Sequence, residues 1–216
     1  MSERELYLVL GDVVSSREIE DKTAFQKKLH NAIETINRIY RKDIYADFKI
    51  LKGIDEIGGV LLSVANSYEI VASINDYLHP DAMRFVILRG KIEIGLETQD
   101  VSQMDGPVFH KAAALMAQSR KSESLFVISV GFDEIDTLVS NIINLILAQK
   151  YNWYPHQAAV VREYRYLKNQ KKVAEKLGLT QQAVSKVLKY LNWKEIAQVE
   201  QEIDSALGKY DELVNR

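Results

Sequence analysis

Gln170-Lys-Lys-Val-Ala-Glu-Lys-Leu-Gly-Leu-Thr-Gln-Gln-Ala-Val-Ser-Lys-Val-Leu-Lys189 reads as two short helices joined by a tight turn. Ala174 is small where a second helix would press on the first. Gly178 stands in the turn, where a left-handed backbone is least costly for glycine. Val173, Leu177, Leu179, Val184 and Val187 are apolar at the positions that close a miniature core, and Thr180 is a natural cap for the second helix. The combination predicts a helix-turn-helix, against the plainer reading of a helical hairpin with a polar surface.

Outside that core the second helix leaves Gln181, Gln182, Ser185, Lys186 and Lys189. Together with Thr180 they are the candidate DNA-binding residues, since the N-terminal part of such a helix faces base edges in the major groove. Glutamine pairs with adenine through two hydrogen bonds, and lysine reaches guanine or phosphate. Lys171 and Lys172, with Arg165 and Lys168, suit phosphate contacts, which position a protein without reading sequence. The expected partner is double-stranded DNA.

Charge follows the same division. The chain of 216 residues has a formal net charge of −2, but residues 156–192 hold eight Lys/Arg against two acids. A basic segment on an acidic body is the electrostatic footprint of a polyanion-binding protein, although a solvated helix face gives the same count. Beyond it, Ile196, Val199, Ile203, Leu207, Tyr210 and Val214 form a heptad-like seam. That seam either pairs two protomers or covers the chain's own core. A homodimer suits a helix-turn-helix, because two half-sites need two readers.

There is no cysteine, which excludes disulfides and thiol chemistry, and His30, His79, His110 and His156 show no metal-ligand spacing. Leu6–Leu10 lacks the basic flank and length of a signal peptide. The longest apolar run, Leu138–Ala148, is broken by Ser140, Asn141 and Asn144 and falls short of the roughly 20 residues that span a bilayer. No membrane association and a cytoplasmic location are expected.

Upstream, residues 5–14 read as a buried central strand. An amphipathic helix over 23–42 follows, then strands 45–52 and 56–64 joined by a tight turn, and a helix over 67–78. Next come a strand or hairpin over 83–96 with a bulge near Arg89-Gly90, a polar loop, a helix from Pro107, a strand over 125–130 and an apolar helix over 134–149. The first six elements follow the split order of a ferredoxin-like sheet. The expected architecture is therefore α+β: a ferredoxin-like domain over 1–150 and an all-α helix-turn-helix domain over 151–216. Asp12 ends the first strand and Asp55-Glu56 lie in the strand-turn-strand beside it. Such carboxylates either hold Mg²⁺ on a nucleotide's phosphates or bond local turn backbone.

The series Gly11-Asp-Val-Val-Ser-Ser, Lys52-Gly-Ile-Asp-Glu-Ile-Gly-Gly-Val-Leu, Gly90-Lys-Ile-Glu-Ile-Gly and Asp105-Gly-Pro-Val-Phe-His-Lys-Ala-Ala resembles the SatD family. That family similarly ends in a helix-turn-helix, and its members are described as DNA-binding or regulatory proteins. Its N-terminal half in turn resembles the palm-type sheet of class III nucleotide cyclases. There a first-strand aspartate and a hairpin aspartate bind two metals; the resemblance assigns those places to Asp12 and Asp55, with Glu56 adjacent. Two departures follow. Ile54 precedes Asp55 where cyclases have glycine, and Gly106-Pro-Val-Phe-His-Lys-Ala-Ala-Ala114 puts His110 and Ala114 where cyclases have asparagine and arginine. Losing an arginine aimed at phosphate removes much of the transition-state stabilisation. The resemblance thus implies a regulator with a catalytically degenerate sensing or dimerisation domain; the alternative is a Mg²⁺-dependent nucleotide-binding or nucleotidyl-transfer enzyme. His110 is either a ligand contact or a polar residue on a packed helix.

Overall fold

A strand that is apolar on both sides has to be covered on both faces. Residues Leu6–Val13 form β1, in which all eight residues are buried. The structure is a computed structural model describing residues 5–53 and 55–214; Ile54, the departure before Asp55, lies outside them. β1 sits at the centre of a five-stranded sheet ordered β2-β3-β1-β4-β5. β2 (Ile44–Lys52) and β3 (Glu56–Leu61) are a hairpin, and β4 (Met83–Gly90) and β5 (Phe126–Ser129) follow. β1 is antiparallel to β3 and β4, whereas β5 is parallel to β4. The helices are α1 (Lys22–Ile39), α2 (Ser67–Leu78), α3 (Pro107–Ser122), α4 (Asp133–Tyr151), α5 (Pro155–Leu167), α6 (Gln170–Leu177), α7 (Gln181–Tyr190) and α8 (Trp193–Val214). The architecture is mixed α/β, and among the described residues no helix is long and apolar enough to cross a membrane.

Alternation along β1 sorts its side chains between two cores. Tyr7, Val9 and Val13 join the larger core with α1, α2 and α4. Leu6, Leu8 and Leu10 join the smaller one, with Val86 and Leu88 of β4 and the stripe Val108, Ala112 and Met116 of α3. Gly59 of β3 marks a close approach: an added Cβ would lie 2.7 Å from the Phe48 ring of β2.

The expected strand over 83–96 stops at Gly90, because β1 supplies register partners only as far as Leu6↔Gly90 and β5 only as far as Leu88↔Ser129. The β1–β4 ladder is regular, without the bulge expected near Arg89-Gly90. The irregularities lie instead between β2 and β3.

β5 is an edge strand, and α4 covers its free polar groups. Asp136 accepts hydrogen bonds from the Val130 and Gly131 N–H groups (2.9 and 3.2 Å), and Ser140 accepts from Ile128 N–H (3.1 Å). Asn144 accepts from Leu125 and Phe126 N–H (2.7 and 3.0 Å) and donates to the Phe126 carbonyl (2.7 Å). The spacing works because four residues of helix advance about 6 Å while two residues of strand advance about 6.6 Å. Two of the three polar interruptions of the apolar run 138–148, Ser140 and Asn144, are thus edge-covering groups, a protection that exposed strands need.

Trp153, between α4 and α5, is buried, and the larger core continues across the expected boundary at 150/151 to Val160, Val173, Leu188 and Trp193. In the heptad-like seam of α8, Ile196, Ile203, Leu207 and Tyr210 are buried within the same chain, with Val199 and Val214 packed against them.

Replacing Asn144 with Ala removes the partner of the Leu125 and Phe126 amides and of the Phe126 carbonyl. Urea unfolding should show a loss on the order of 2 kcal/mol or more, whereas Asn141→Ala, exposed on the same helix, should stay within about 0.5 kcal/mol.

Candidate functional site

The strand parity that buries Leu8 and Leu10 against α3 also points Asp12 toward α3. Arg84 lies directly opposite it on β4 and Glu56 opposite it on β3. Continuing the α3 stripe 108-112-116 by one more turn reaches Arg120. Its Nη2 and Nε donate to the two Asp12 carboxylate oxygens at 2.6 and 2.9 Å, and Arg84 Nη1 adds a contact at 3.4 Å. Arg84 also donates from Nε to the Ser124 carbonyl at 2.7 Å. The hydrogen bonds it donates to Asp12 hold the Arg120 guanidinium above its ordinary pKa, while burial pushes Arg84 below its own.

These groups floor an open cleft of about 720 Å³ that also takes in Asp55, Glu56, Lys52 and Arg17. The cleft therefore gathers Asp12, Asp55 and Glu56, as the resemblance implied, but Asp55 is exposed and both Asp12 oxygens are already bonded to Arg120. As arranged, these residues do not fit a two-carboxylate Mg²⁺ site, because the Arg120 guanidinium occupies both oxygens of Asp12. His110 is not part of this lining; its ring is 80% exposed and 3.9 Å from Asp105. Arg84 and Arg120 are legible only as anomalies: one of two arginines in the otherwise apolar strand Met83–Gly90, and a cation continuing a buried helical stripe.

The second candidate region is α6–α7. Asn169 caps α6 by accepting from Lys171 and Lys172 N–H, and Thr180 Oγ1 caps α7 by accepting from Ala183 N–H (3.1 Å). Gly178 ends α6 at φ +66°, and Leu179 N–H reaches back to the Ala174 carbonyl at 2.8 Å, which closes the turn. Val173, Ala174, Val184 and Leu188 are buried between the helices, with Leu177 and Val187 packed against them. Leu179, expected in that core, is instead 43% exposed; it follows the left-handed turn and points away.

Of the polar face, Gln181, Gln182, Lys186 and Lys189 are exposed and Ser185 is half-buried; Lys171 and Lys172 are exposed as well. Thr180 is exposed while it caps α7. Arg165 departs from the phosphate role expected of it. It bonds Glu200 at 2.8 and 3.1 Å, lies 3.4 Å from Asp76 and stacks over Trp193 at 5.0 Å. Burial alone would weaken its charge, but Asp76 and Glu200 outweigh burial and hold it above the ordinary value. Lys176 is likewise bound to Glu163 at 2.6 Å.

Glu200, 4% exposed, also accepts from Tyr68 (2.8 Å) and Lys150 (3.2 Å), and Lys150 pairs with Asp76 at 3.0 Å. This buried cluster joins α2, α4, α5 and α8. Next to it, Asp204 is pushed up to about 7, first by burial and then by the charges of Glu69 and Glu200, against the lowering effect of Arg165.

Two outcomes follow. Asp12→Asn strands the buried Arg84 charge and should cost about 3 kcal/mol in urea unfolding, while Arg120→Gln, which leaves Arg84 on Asp12, should cost visibly less. For Asp204 the folded-state pKa lies above its unfolded value, so the folded protein binds the extra proton and stability falls as pH rises from about 4 to about 7. The thermal midpoint of the wild type should therefore drop relative to Asp204→Asn across that window and stay below it at pH 8.

No curated protein matches the chain. Among solved structures, two of a bacterial light-regulated adenylyl cyclase are similar. One is 14% identical, covering 58% of this chain and 75% of that chain with a TM-score of 0.40. The other is 13% identical, covering 58% of this chain and 43% of that chain with a TM-score of 0.41. A family model matches residues 7–201, through both the sheet and α6–α7, and the chain belongs to the SatD family.

Proposed function

We propose that this protein is a DNA-binding regulator in which α6–α7 is a helix-turn-helix carried on a ferredoxin-like domain. One observation carries the reading: α7 begins at a capped N-terminus and exposes Gln181, Gln182 and Lys186 on its outer face, while its inner face is buried through Val184 and Leu188. A helix held in this way can enter the major groove without unpacking. Gln181 and Gln182 are the base readers, with Ser185 and Lys186 one turn further on. Lys171, Lys172 and Lys189 are exposed and have no ion pair among the described residues, so they remain available to phosphate. The sheet order β2-β3-β1-β4 with antiparallel neighbours supports the ferredoxin-like reading of the domain beneath.

Two copies on adjacent half-sites complete the proposal. Their contact lies away from the apolar seam of α8, which packs on its own chain. The cyclase-like cleft then serves as a positioned ionic site rather than a catalytic one, since Asp12 is committed to Arg120 and Arg84. A metal-dependent nucleotidyl transfer would first have to displace Arg120.

Fluorescence anisotropy with labelled genomic duplexes tests this. Binding should weaken steeply between 50 and 200 mM salt, as counterion release requires. Lys186→Ala should lower the salt slope by about 1 if it meets phosphate, and Gln182→Ala should cost about 1–3 kcal/mol on the preferred sequence and less on others. Salt-insensitive binding, or no duplex binding at low salt, would defeat the proposal.

A further inference from the structure

A cavity of about 290 Å³ lies between α1, α2, α5 and α8. Its walls include the rings of Tyr40, Tyr68, Tyr77 and Tyr166. The fifth aromatic, Trp193, is covered by Arg165. Three acids face the same space: Glu69 from α2 and Glu200 and Asp204 from α8. The charge of Glu200 is matched by Lys150 and Arg165. Glu69 and Asp204 have no ion pair among the described residues, and Asp204 Oδ1 is buried without a hydrogen-bond partner. Lys168, which is exposed, also lines the cavity.

A buried carboxylate oxygen without a donor costs free energy, and a pocket that keeps one calls for an explanation. An ammonium group answers each feature in turn: it donates to Asp204 Oδ1, offsets the unmatched acids, and is attracted to the faces of the tyrosine rings. An anion would meet Glu69 and Asp204 together, and a neutral molecule would leave the charge of those two acids uncompensated. We infer that the cavity between α1, α2, α5 and α8 is a binding site for a small organic ammonium ion, with Asp204 and Glu69 as its anionic partners and the tyrosines as its walls. The site draws walls from helices on both sides of the α4–α5 junction, and it stands apart from the DNA-binding proposal.

Isothermal titration of the full chain at pH 8 is the test, with n-butylammonium and 1,4-diaminobutane as probes and 1-butanol and butyrate as their neutral and anionic counterparts. The ammonium probes should bind saturably at one site and the other two should not. Asp204→Asn keeps the side-chain shape and removes the unpaired charge, so it should fold, as circular dichroism would verify, and bind at least about tenfold more weakly. Tyr166→Leu, at a half-exposed wall position, should also weaken binding. Absence of saturable binding by either ammonium probe, equal affinity in wild type and Asp204→Asn, or butyrate binding as tightly as the amines would each overturn the inference.

Discussion

Glu200 is the point on which the arrangement of the C-terminal helices depends. A carboxylate so buried is tolerable only when its charge and lone pairs are met, and Tyr68, Lys150 and Arg165 meet them from α2, α4 and α5. Such a cluster adds little net stability over an apolar packing of the same volume, but it admits few alternatives, because moving one member strands the others. It therefore fixes α5 and α8 against the sheet-bearing part of the chain. α6 and α7 inherit their placement from those neighbours. The same cluster explains why part of the positive charge near residues 156–192 is not at the surface: Arg165 is consumed in holding the helices together.

The cleft at the end of β1 shows how two periodicities converge. Alternation along β1 and β4 places Asp12 and Arg84 on the α3 side, and the helical repeat of α3 brings Arg120 to the same point. The result is an ionic lock among groups whose types suggest a metal site but whose geometry answers the carboxylate with guanidinium. Along the β5 edge of the sheet, α4 presents Asn144, Ser140 and Asp136 at four-residue intervals to the amides of Phe126 and Ile128 and to that of Val130 just past the strand. Both features are long-range matches between a helical and an extended repeat.

Much of the fold is legible along the chain. The unbroken apolar run of β1, the stripe of α1, Pro107 at the start of α3, and the Gly178 turn with its Thr180 cap are each set by preferences that act within a few residues. Strand ends were less legible, since β4 stops where its neighbours stop rather than where its own pattern fades. Leu179 departs from its expected place in the core for a related reason: the left-handed turn that Gly178 permits also turns the next side chain outward.

The sequence alone determined which segments form helices and strands, though not every strand end, which faces are apolar, and that α6 and α7 meet at a tight turn. Only the tertiary structure decided which charges remain free. Asp12 and Arg120 are 108 positions apart and Tyr68 and Glu200 are 132 apart, so no local pattern announces either pair. Backbone preferences are written into neighbouring residues, whereas the pairing of a charge depends on what the completed fold brings within about 3 Å of it.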